Sequence, residues 1–493
     1  MPQTHRTILA ISSKYRFKQF KVTFSSIGSK TAQILFLSAF FSKFGINRQC
    51  MYKLQVSPEN VHNSLKKHIL ADGFDLTFDM EKSKGVYMYD AKYKRTYLDF
   101  FTCFASVPLG YNHPKMVNDE VFKKNLMLAA LTNPSNSDIY TEQYAQFMET
   151  FDRVGIPEYL PHAFFISGGA LAIENAIKVS MDWKVQKNFA KGYTKEKGFK
   201  VLHFEHAFHG RSGYTLSLTN TLPVKTKWYA KFDWPRVSFP QINFPYSDSN
   251  HEDLLRREAL SIEQIKKAFE VNKDDICAII IEPIQSEGGD NHVRQEYLEK
   301  LRQLADENEA MLIYDEVQTG VGLTGKFWCH EHFGENARPD ILAFGKKMQV
   351  CGILAGKKVD EVEGNVFNVS SRINSTWGGS LVDMVRSSKI MEIIAEDDLC
   401  NNAAVTGEYL QNKLIKISDR NSLVTNVRGK GLLTAFDFPD KAKRDKFVKA
   451  GMGRNVMFLG CGDRTIRFRP ALIMDKAHID EGLQVLEHIL SIL

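Results

Sequence analysis

The chain has 493 residues, of which 43% are hydrophobic and 25% charged, a composition typical of a folded globular protein. This length exceeds what one simple hydrophobic core supports, so the sequence predicts two or three domains or sub-domains. The formal net charge of +6 is small, and over most of the chain the basic residues lie beside acidic ones. Such a distribution argues against a nucleic-acid-binding protein, which concentrates its positive charge.

Cysteine and histidine usage gives no sign of a disulfide framework or a metal site. The seven cysteines are scattered, and none forms a CxxC pair or a metal knuckle. An odd, dispersed set in a long chain is typical of reduced thiols in an intracellular protein, so we expect a cytoplasmic protein. His206 and His209 have no third ligand at a convincing spacing, and a role in a local hydrogen-bond network is the better hypothesis for them.

The first fifty residues differ from the rest. They contain no Asp or Glu, which first appear at Glu59, and they are rich in Lys, Arg and Ser. Their apolar run, Ala32–Phe41, is shorter than the roughly 20 residues that cross a bilayer. Two interpretations stay open: a transit peptide that directs import into an organelle, or upstream translation before a start at Met51. Residues 1–50 are left out of the predicted fold in both cases.

The predicted elements begin with short antiparallel strands within residues 74–100. From residue 163 to residue 344, short apolar runs alternate with helical patterns, as expected for parallel strands covered on both faces. Residues 385–493 mix helices with a short strand. The predicted strands are Ala163–Ser167, Lys200–Phe204, Ile276–Ile281, Met311–Tyr314, Ile341–Phe344 and Thr465–Arg469, and the clearest helices are Ala170–Val185 and Arg294–Asn308.

This order predicts an α/β fold with a mostly parallel central sheet and helices on both faces. A smaller α+β domain, built from both chain ends, is the simplest arrangement for the flanking elements. The predicted divisions are a basic leader (1–50), the N-terminal part of the small domain (51–115), a large ligand-binding domain (116–375) and the C-terminal part of the small domain (376–493).

The turn Ser167–Ala170 joins a predicted strand to a helix. Its small residues allow backbone amides to point at an anion, and the helix dipole favours negative charge there. Phosphate binding is therefore one hypothesis, and an ordinary tight turn is the alternative.

Three further segments place binding or reactive side chains at predicted strand ends. Phe208 could stack on a planar ligand, and Arg211 could clamp a carboxylate with two hydrogen bonds. A carboxylate at Asp315, directly after an apolar strand, is costly unless it meets a cation. Desolvation at Lys346 would make its amine nucleophilic near neutral pH. Taken singly, each residue also has a simpler explanation: a helix cap, a surface ion pair or a solvated lysine.

A glycine pattern suggests a nicotinamide-binding turn, which we reject. Gly320, Gly322 and Gly325 match G-x-G-x-x-G, and Asp340 follows at a suitable spacing. The first glycine of such a turn closes the strand at once, whereas Asp315–Thr319 intervene here. A dehydrogenase is therefore not expected.

Together, in this order and spacing, the segments resemble the class III (ω-amino acid) aminotransferases, and among them the lysine ε-aminotransferases. The resemblance extends from about Met51 to Leu493 and implies fold type I of the pyridoxal-phosphate enzymes. It is carried by the segments ILADGFDLTFDMEKSKG, YLDFFTCFASVPLGYNHP, FISGGALAIENAIK, HAFHGRSGYTLSLTNT, EPIQSEGGDNH, DEVQTGVGLTG, FGKKMQVCGILAG, NSTWGGS and IRFRPAL.

The resemblance implies pyridoxal 5'-phosphate as the cofactor and assigns two catalytic residues. Lys346 would bind the cofactor covalently and later move a proton between the substrate and the cofactor's C4′ carbon. Asp315 would pair with the pyridinium nitrogen and keep it protonated. The neighbouring Lys347 would be a bystander.

The same resemblance implies the remaining cofactor contacts. Backbone amides of Gly169 and Ala170 would hold the phosphate, which Thr376 would reach from the second subunit of an obligate homodimer. The other contacts are to the ring: Phe208 and Val317 would cover its two faces, and Gln318 would lie near its phenolic oxygen.

Substrate binding is implied for three residues. Arg211 would hold the carboxylate distant from the cofactor. Glu287 would pair with Arg467 while lysine is bound, and would swing away when glutamate or 2-oxoglutarate needs that guanidinium. The implied reaction converts L-lysine and 2-oxoglutarate into 2-aminoadipate 6-semialdehyde, which cyclises to piperideine-6-carboxylate, and L-glutamate.

Two alternatives stay open. A 4-aminobutyrate or ornithine aminotransferase could be built on the same scaffold, because EPIQSEGGDNH is shared with 4-aminobutyrate aminotransferases. A catalytically silent cofactor-binding protein is disfavoured by the intact set of implied site residues. The expected partners are small-molecule substrates and a second copy of the chain, without nucleic acid or membrane.

Overall fold

The computed structural model describes residues 54–493, and these form two compact units, 54–75 and 76–493. The predictions for the leader and for a start at Met51 lie outside the described residues. The first unit contains a short 3-10 helix, Pro58–Asn60, and a helical turn, Val61–Leu65. Its end is fixed by a hydrogen bond of 3.1 Å between the His62 ring and the Phe74 carbonyl oxygen.

The second unit contains sixteen strands. They are β1 (Tyr87–Asp90), β2 (Arg95–Asp99), β3 (His162–Ile166), β4 (Lys200–Phe204), β5 (Arg236–Val237), β6 (Ile276–Ile281), β7 (Ile284–Gln285), β8 (Asn291–His292), β9 (Met311–Asp315), β10 (Ile341–Phe344), β11 (Cys351–Ala355), β12 (Thr425–Lys430), β13 (Leu433–Asp437), β14 (Val456–Met457), β15 (Leu459–Cys461) and β16 (Thr465–Phe468).

Helices connect most of these strands. The α-helices are Pro114–Val117, Glu120–Leu131, Glu142–Gly155, Gly169–Ala190, Gly213–Leu218, Asp248–Val271, Gln295–Glu307, Leu381–Glu396, Leu399–Ser418, Lys441–Gly453 and Lys476–Leu490. The short 3-10 helices are Pro223–Lys225, Cys329–His332, Glu335–Ala337, Lys346–Met348 and Lys357–Glu361. One further turn, Thr102–Ala105, has left-handed backbone angles throughout.

The central sheet has seven strands in the order β3-β11-β10-β9-β6-β4-β5. The five strands from β10 to β5 are parallel, as the apolar runs predicted, and β11 lies antiparallel between β3 and β10. The sheet is therefore mixed. The predicted strands at 200–204, 276–281 and 341–344 have the observed bounds, whereas β5, β7, β8, β11 and β12 to β15 were not predicted. The expectation of one short strand within residues 385–493 is therefore wrong, because five strands lie there.

Helices cover both faces of this sheet, and the alternation of side chains along β6 shows how. The side chains of Ala278 and Ile280 face the helix Gly169–Ala190 and belong to the same apolar cluster as that helix. Ile279 and Ile281 point the other way and join the cluster that includes the helix Gln295–Glu307. Because every β6 residue is buried, the strand needs apolar residues at all positions, and this explains its continuous apolar run. The predicted α/β class is confirmed.

The two chain ends meet in smaller sheets. The antiparallel pair β1-β2 is extended by β14, which runs parallel to β2, so that residues far apart in sequence share one sheet. A second sheet has the order β12-β13-β16-β15. The predicted division into a large domain and a smaller one drawn from both ends, with boundaries at 115 and 375, stays a prediction.

Within residues 54–493, no helix combines the length and apolar character needed to cross a bilayer.

The helix Leu399–Ser418 packs closely on the turn before β13, and Gly407 is the contact point. A Cβ atom at Gly407 would lie 1.9 Å from the carbonyl carbon of Gly431. Gly407→Ala should therefore lower the free energy of unfolding by about 1–3 kcal/mol, seen as a lower urea midpoint. Gly453→Ala is the matched control, because no heavy atom lies within 4 Å of its Cβ position. Equal midpoints for the two variants would contradict this packing.

Candidate active site

A cavity of about 580 Å³ lies beside the carboxyl ends of the parallel strands. Side chains and turns from several strand ends line it, as expected for a ligand site in an α/β sheet. The lining residues are Ser106, Gly168, Gly169, Ala170, Phe208, His209, Gly210, Glu282, Asp315, Val317, Gln318, Lys346, Gln349 and Cys351. Seven of the eight residues predicted to contact a cofactor are among them.

Lys346 directly follows the turn that ends β10 and has a left-handed backbone angle, with φ 46°. Burial, followed by the positive charges of Arg467 and Arg469, lowers the pKa of Lys346 to about 8. Both effects disfavour the ammonium form, so about a tenth of this amine is unprotonated and nucleophilic at pH 7, far more than for an ordinary lysine.

The adjacent Lys347 is also inside the protein. Its Nζ donates a hydrogen bond of 2.6 Å to the carbonyl oxygen of Gln318, and burial holds its pKa well below the usual range. The two lysines are therefore not a solvated pair. Lys347 supports the turn that follows β9, whereas Lys346 faces the cavity.

Asp315 ends β9 and is 6% exposed. One carboxylate oxygen accepts a hydrogen bond of 2.8 Å from the His209 ring, and the other accepts one of 3.0 Å from the backbone N–H of Val317. These partners fix the direction in which the carboxylate faces the cavity. They also place His209 in the hydrogen-bond network of the site. Among residues 54–493, no cluster of His, Cys, Asp or Glu side chains suits a metal ion.

Glu282 is a cavity residue that the sequence reasoning missed. It follows β6 directly, as Asp315 completes β9, and this shared position is the signal that could have revealed it. Its carboxyl oxygens accept hydrogen bonds of 3.0 Å from the backbone N–H groups of Phe208 and Ser286. Burial raises the pKa of Glu282 to about 7, with the charge of Asp315 adding to the effect and His209 opposing it.

The predicted anion-binding turn begins the longest helix at the cavity. Gly168 precedes the helix Gly169–Ala190 with φ 109°, a conformation that favours glycine. A Cβ atom at Gly169 would lie 2.9 Å from a methyl group of Val317, so the two loops approach too closely for a side chain there. The helix N-terminus is thereby exposed to the cavity, and its dipole favours an anion.

The predicted pair Glu287 and Arg467 is present. Arg467, on β16, donates a hydrogen bond of 2.7 Å to one carboxylate oxygen of Glu287. Lys225, another residue that the sequence reasoning missed, donates one of 2.7 Å to the other oxygen. Burial opposes ionisation of Glu287, but these two cations bring its pKa below the usual value. Gln318 joins this network by accepting hydrogen bonds from Arg467 and Arg469.

Two of the predicted site residues, Arg211 and Thr376, lie outside this hydrogen-bond network. Arg211 is exposed, and its side chain makes no hydrogen bond or ion pair with another residue in the range 54–493. It nevertheless follows Gly210, which lines the cavity. Thr376 is exposed in a turn and is not a lining residue.

The arrangement combines groups with complementary chemistry. A nucleophilic amine, a buried carboxylate and an anion-binding helix end surround one space, and a buried guanidinium lies nearby. Such a set can bind a planar, phosphorylated carbonyl compound covalently and can bring a carboxylate-bearing substrate beside it.

Comparison with known proteins identifies the family. The profile of the family described as Aminotransferase class-III matches residues 71–490. The L-lysine-epsilon aminotransferase of Mycobacterium tuberculosis is 47% identical over 437 residues, covering 88% of this chain and 96% of the relative. That of Streptomyces clavuligerus is 45% identical over 434 residues, covering 87% and 93%. The human mitochondrial 4-aminobutyrate aminotransferase is 30% identical over 429 residues, covering 83% and 84%.

A solved structure agrees with these relatives. The lysine aminotransferase from M. tuberculosis, in the internal aldimine form, superposes with a TM-score of 0.86 at 46% identity, covering 89% of this chain and 100% of that one. The shared fold is fold type I, with its mixed central sheet. The chain therefore belongs to the class III aminotransferases and is a transaminase that depends on pyridoxal 5'-phosphate.

Proposed function

We propose that this chain is an L-lysine 6-aminotransferase. It transfers the ε-amino group of L-lysine to 2-oxoglutarate and yields 2-aminoadipate 6-semialdehyde, which cyclises to piperideine-6-carboxylate, and L-glutamate. The observation that carries the proposal is the ion pair of Glu287 with the buried Arg467 beside the cavity. A covered guanidinium suits an amine-bearing side chain, and a carboxylate that can be displaced suits glutamate.

The residues present fit the cofactor. The cavity provides a cradle for a phosphate at Gly169, where a Cβ atom would clash with Val317, and Lys346, whose pKa is lowered, lines the same cavity. A carboxylate at Asp315 suits a protonated ring nitrogen, and it would otherwise be an expensive group to bury. When bound, pyridoxal phosphate supplies an electron sink for the substrate's carbanion.

Lys346 and Asp315 carry the proposed catalytic roles. Lys346 would hold the cofactor covalently in the resting enzyme, and its amine would move the proton between the substrate carbon and the cofactor's C4′ atom. Asp315 keeps the ring nitrogen protonated, and His209 orients its carboxylate through the hydrogen bond of 2.8 Å. Both side chains leave neighbouring strand ends, and this rigid support suits precise positioning.

The ring contacts are proposed from the cavity lining. Phe208 and Val317 line the cavity and would cover the two faces of the ring. Gln318 lies close enough to Arg467 and Arg469 to accept from both, so its amide N–H group remains available for the ring's phenolic oxygen. Amides of Gly169 and Ala170 bind the phosphate at the helix N-terminus.

Substrate selection is proposed to depend on the exposed Arg211 and on the ion pair of Glu287 with Arg467. Arg211, exposed at the edge, is free to clamp the α-carboxylate of lysine. Glu287 neutralises Arg467 during that half-reaction, so that the ε-amine does not meet an uncovered cation. In the second half-reaction the α-carboxylate of 2-oxoglutarate takes the place of Glu287 at Arg467.

We further propose a homodimer in which Thr376 completes the phosphate site of the partner subunit. Large apolar side chains are exposed beside the site residues: Leu171 is 41% exposed and Trp377 is 52% exposed. Others are grouped at residues 121–140, where Val121, Leu131 and Tyr140 are each more than 70% exposed. Such surface is typical of a covered interface. A cytoplasmic location stays a prediction, and all six cysteines between residues 54 and 493 are free thiols.

An amino-donor panel tests the function. With pyridoxal phosphate and 2-oxoglutarate, L-lysine should give the highest kcat/KM for glutamate formation among lysine, 4-aminobutyrate and ornithine. The 45–47% identity to lysine enzymes, against 30% to the human 4-aminobutyrate enzyme, favours this order. Glutamate formation from 4-aminobutyrate or ornithine but not from lysine would overturn the proposal.

The lowered pKa of Lys346, about 8, predicts the pH dependence of cofactor binding. Below that pH the amine is mostly protonated, and above it the amine is mostly neutral. In protein freed of cofactor, the rate of recombination should rise nearly tenfold per pH unit below about pH 7 and level off above about pH 8 to 9. Stopped-flow absorbance measures this rate. A rise that continues to about pH 10.4, the value of an ordinary lysine, would contradict the lowered pKa.

Lys346→Ala removes the amine itself. The variant should lose both the absorption of the covalently bound cofactor and all turnover. The matched control is Lys357→Ala, since Lys357 is exposed and away from the cavity. Turnover retained by Lys346→Ala would refute the catalytic assignment.

Thr376→Val tests the shared site. Loss of the hydroxyl should raise the dissociation constant for pyridoxal phosphate about tenfold, the cost of a hydrogen bond to a charged group. Thr194→Val, at an exposed position, is the control. A hybrid dimer of Thr376→Val with Lys346→Ala subunits should regain one site of normal affinity. A monomer in light scattering, or no recovery in the hybrid, would count against the shared site.

A further inference from the structure

Two different cations hold the two oxygens of Glu287. Arg467 donates to one oxygen at 2.7 Å, and Lys225 donates to the other at 2.7 Å. The Glu287 side chain is 26% exposed, so these contacts are partly shielded from solvent. The local charge is two cations against one carboxylate.

The position of Lys225 is fixed by its own surroundings. It ends the 3-10 helix Pro223–Lys225, and its side chain is 16% exposed. Its Nζ also lies 3.4 Å from the Thr221 hydroxyl and 5.0 Å from the centre of the Phe208 ring. The ammonium group therefore lies beside Phe208, a residue that lines the cavity, and the aromatic ring stabilises it there.

The two cations differ in how far they can move. Arg467 is 1% exposed and lies on β16, which pairs with β13 and β15, so its guanidinium is held in place. Glu287 lies in the loop between β7 and β8. When a substrate carboxylate competes for Arg467, it is Glu287 that must leave, and an anion leaving one cation is costly unless a second remains.

We propose that Lys225 is a positioning residue for substrate selection, which retains Glu287 when the α-carboxylate of 2-oxoglutarate or glutamate displaces it from Arg467. Lys225 favours the displacement of Glu287 from Arg467 in two ways. It weakens the hold of Glu287 on Arg467 by sharing the carboxylate, and it stabilises the displaced position. This inference rests on the proposed lysine and 2-oxoglutarate reaction.

Lys225→Met tests it, because methionine keeps the apolar stem and removes the charge. Transaminases follow ping-pong kinetics, so kcat/KM for each substrate reports its own half-reaction. The variant should lose about fivefold to tenfold in kcat/KM for 2-oxoglutarate, mainly as a higher KM, the scale of a partly exposed charged hydrogen bond. The value for lysine should change by less than about twofold, since the Glu287 and Arg467 pair remains.

Three controls separate this role from a structural one. Lys225→Arg should restore the value for 2-oxoglutarate, because the positive charge returns. Lys227→Met removes an exposed lysine two residues away that does not contact Glu287, and it should behave as wild type. In a Glu287→Gln background, measured from enzyme loaded with the amine form of the cofactor, Lys225→Met should have no further effect on 2-oxoglutarate.

The outcomes are distinct. Equal losses for lysine and 2-oxoglutarate in Lys225→Met, or no loss for either, would overturn the inference. An effect that persists in the Glu287→Gln background would also overturn it, since Lys225 would then contact the substrate directly. A wild-type enzyme that makes no glutamate from lysine would instead refute the proposed function, whatever the variants do.

Discussion

A buried guanidinium is the constraint around which the site is organised. Arg467 is 1% exposed, and a charge in that position must have an anion within reach. In this structure the anion is Glu287, and Gln318 provides a weaker partner at 3.3 Å. Any ligand that enters beside Arg467 must either leave this pair intact or replace its carboxylate. We propose that one site thereby accepts an amine-bearing substrate and a dicarboxylate in turn.

The same cations act on the reactive amine. Burial, with Arg467 and Arg469, lowers the pKa of Lys346 to about 8, while Glu287 and Asp315 oppose that shift. Asp290 pairs with Arg469 in the interior and fixes that second guanidinium. The residues proposed to select the substrate therefore also help to set the pKa of Lys346. A change in charge at position 287 should therefore shift the pKa of Lys346 even though the two side chains are not in direct contact.

Much of this architecture could be predicted from the sequence, and the parts that could not share a physical reason. Continuous apolar runs in the sequence predict the buried parallel strands, and β6 and β10 have the predicted bounds. Strand β11 (Cys351–Ala355) was missed because its antiparallel pairing with β3 and β10 is a long-range property. Several site residues lie at the ends of the predicted strands, and the resemblance then assigned them roles that remain proposals.

The polar network was less accessible to sequence reasoning. Lys225, in the segment LPVKTK, has the composition of a solvated turn, and only the folded chain brings it to Glu287. Glu282 follows a strand as Asp315 does, but its place beside His209 and Asp315 depends on the sheet order. Lys347 was expected to be a bystander beside Lys346, and the sequence did not indicate that its ammonium group is buried against a carbonyl oxygen. Contacts between loops are set by the tertiary structure and leave little local signal.

The position of Glu287 in two ligand complexes tests the central claim most directly. Crystal structures of the enzyme with pyridoxal phosphate should be compared, one with a lysine analogue and one with a glutamate analogue bound. With the lysine analogue, Glu287 should remain hydrogen-bonded to Arg467. With the glutamate analogue, the ligand's α-carboxylate should occupy that place, and Glu287 should have turned away while keeping its contact with Lys225. A Glu287 that stays on Arg467 in both complexes would contradict the account.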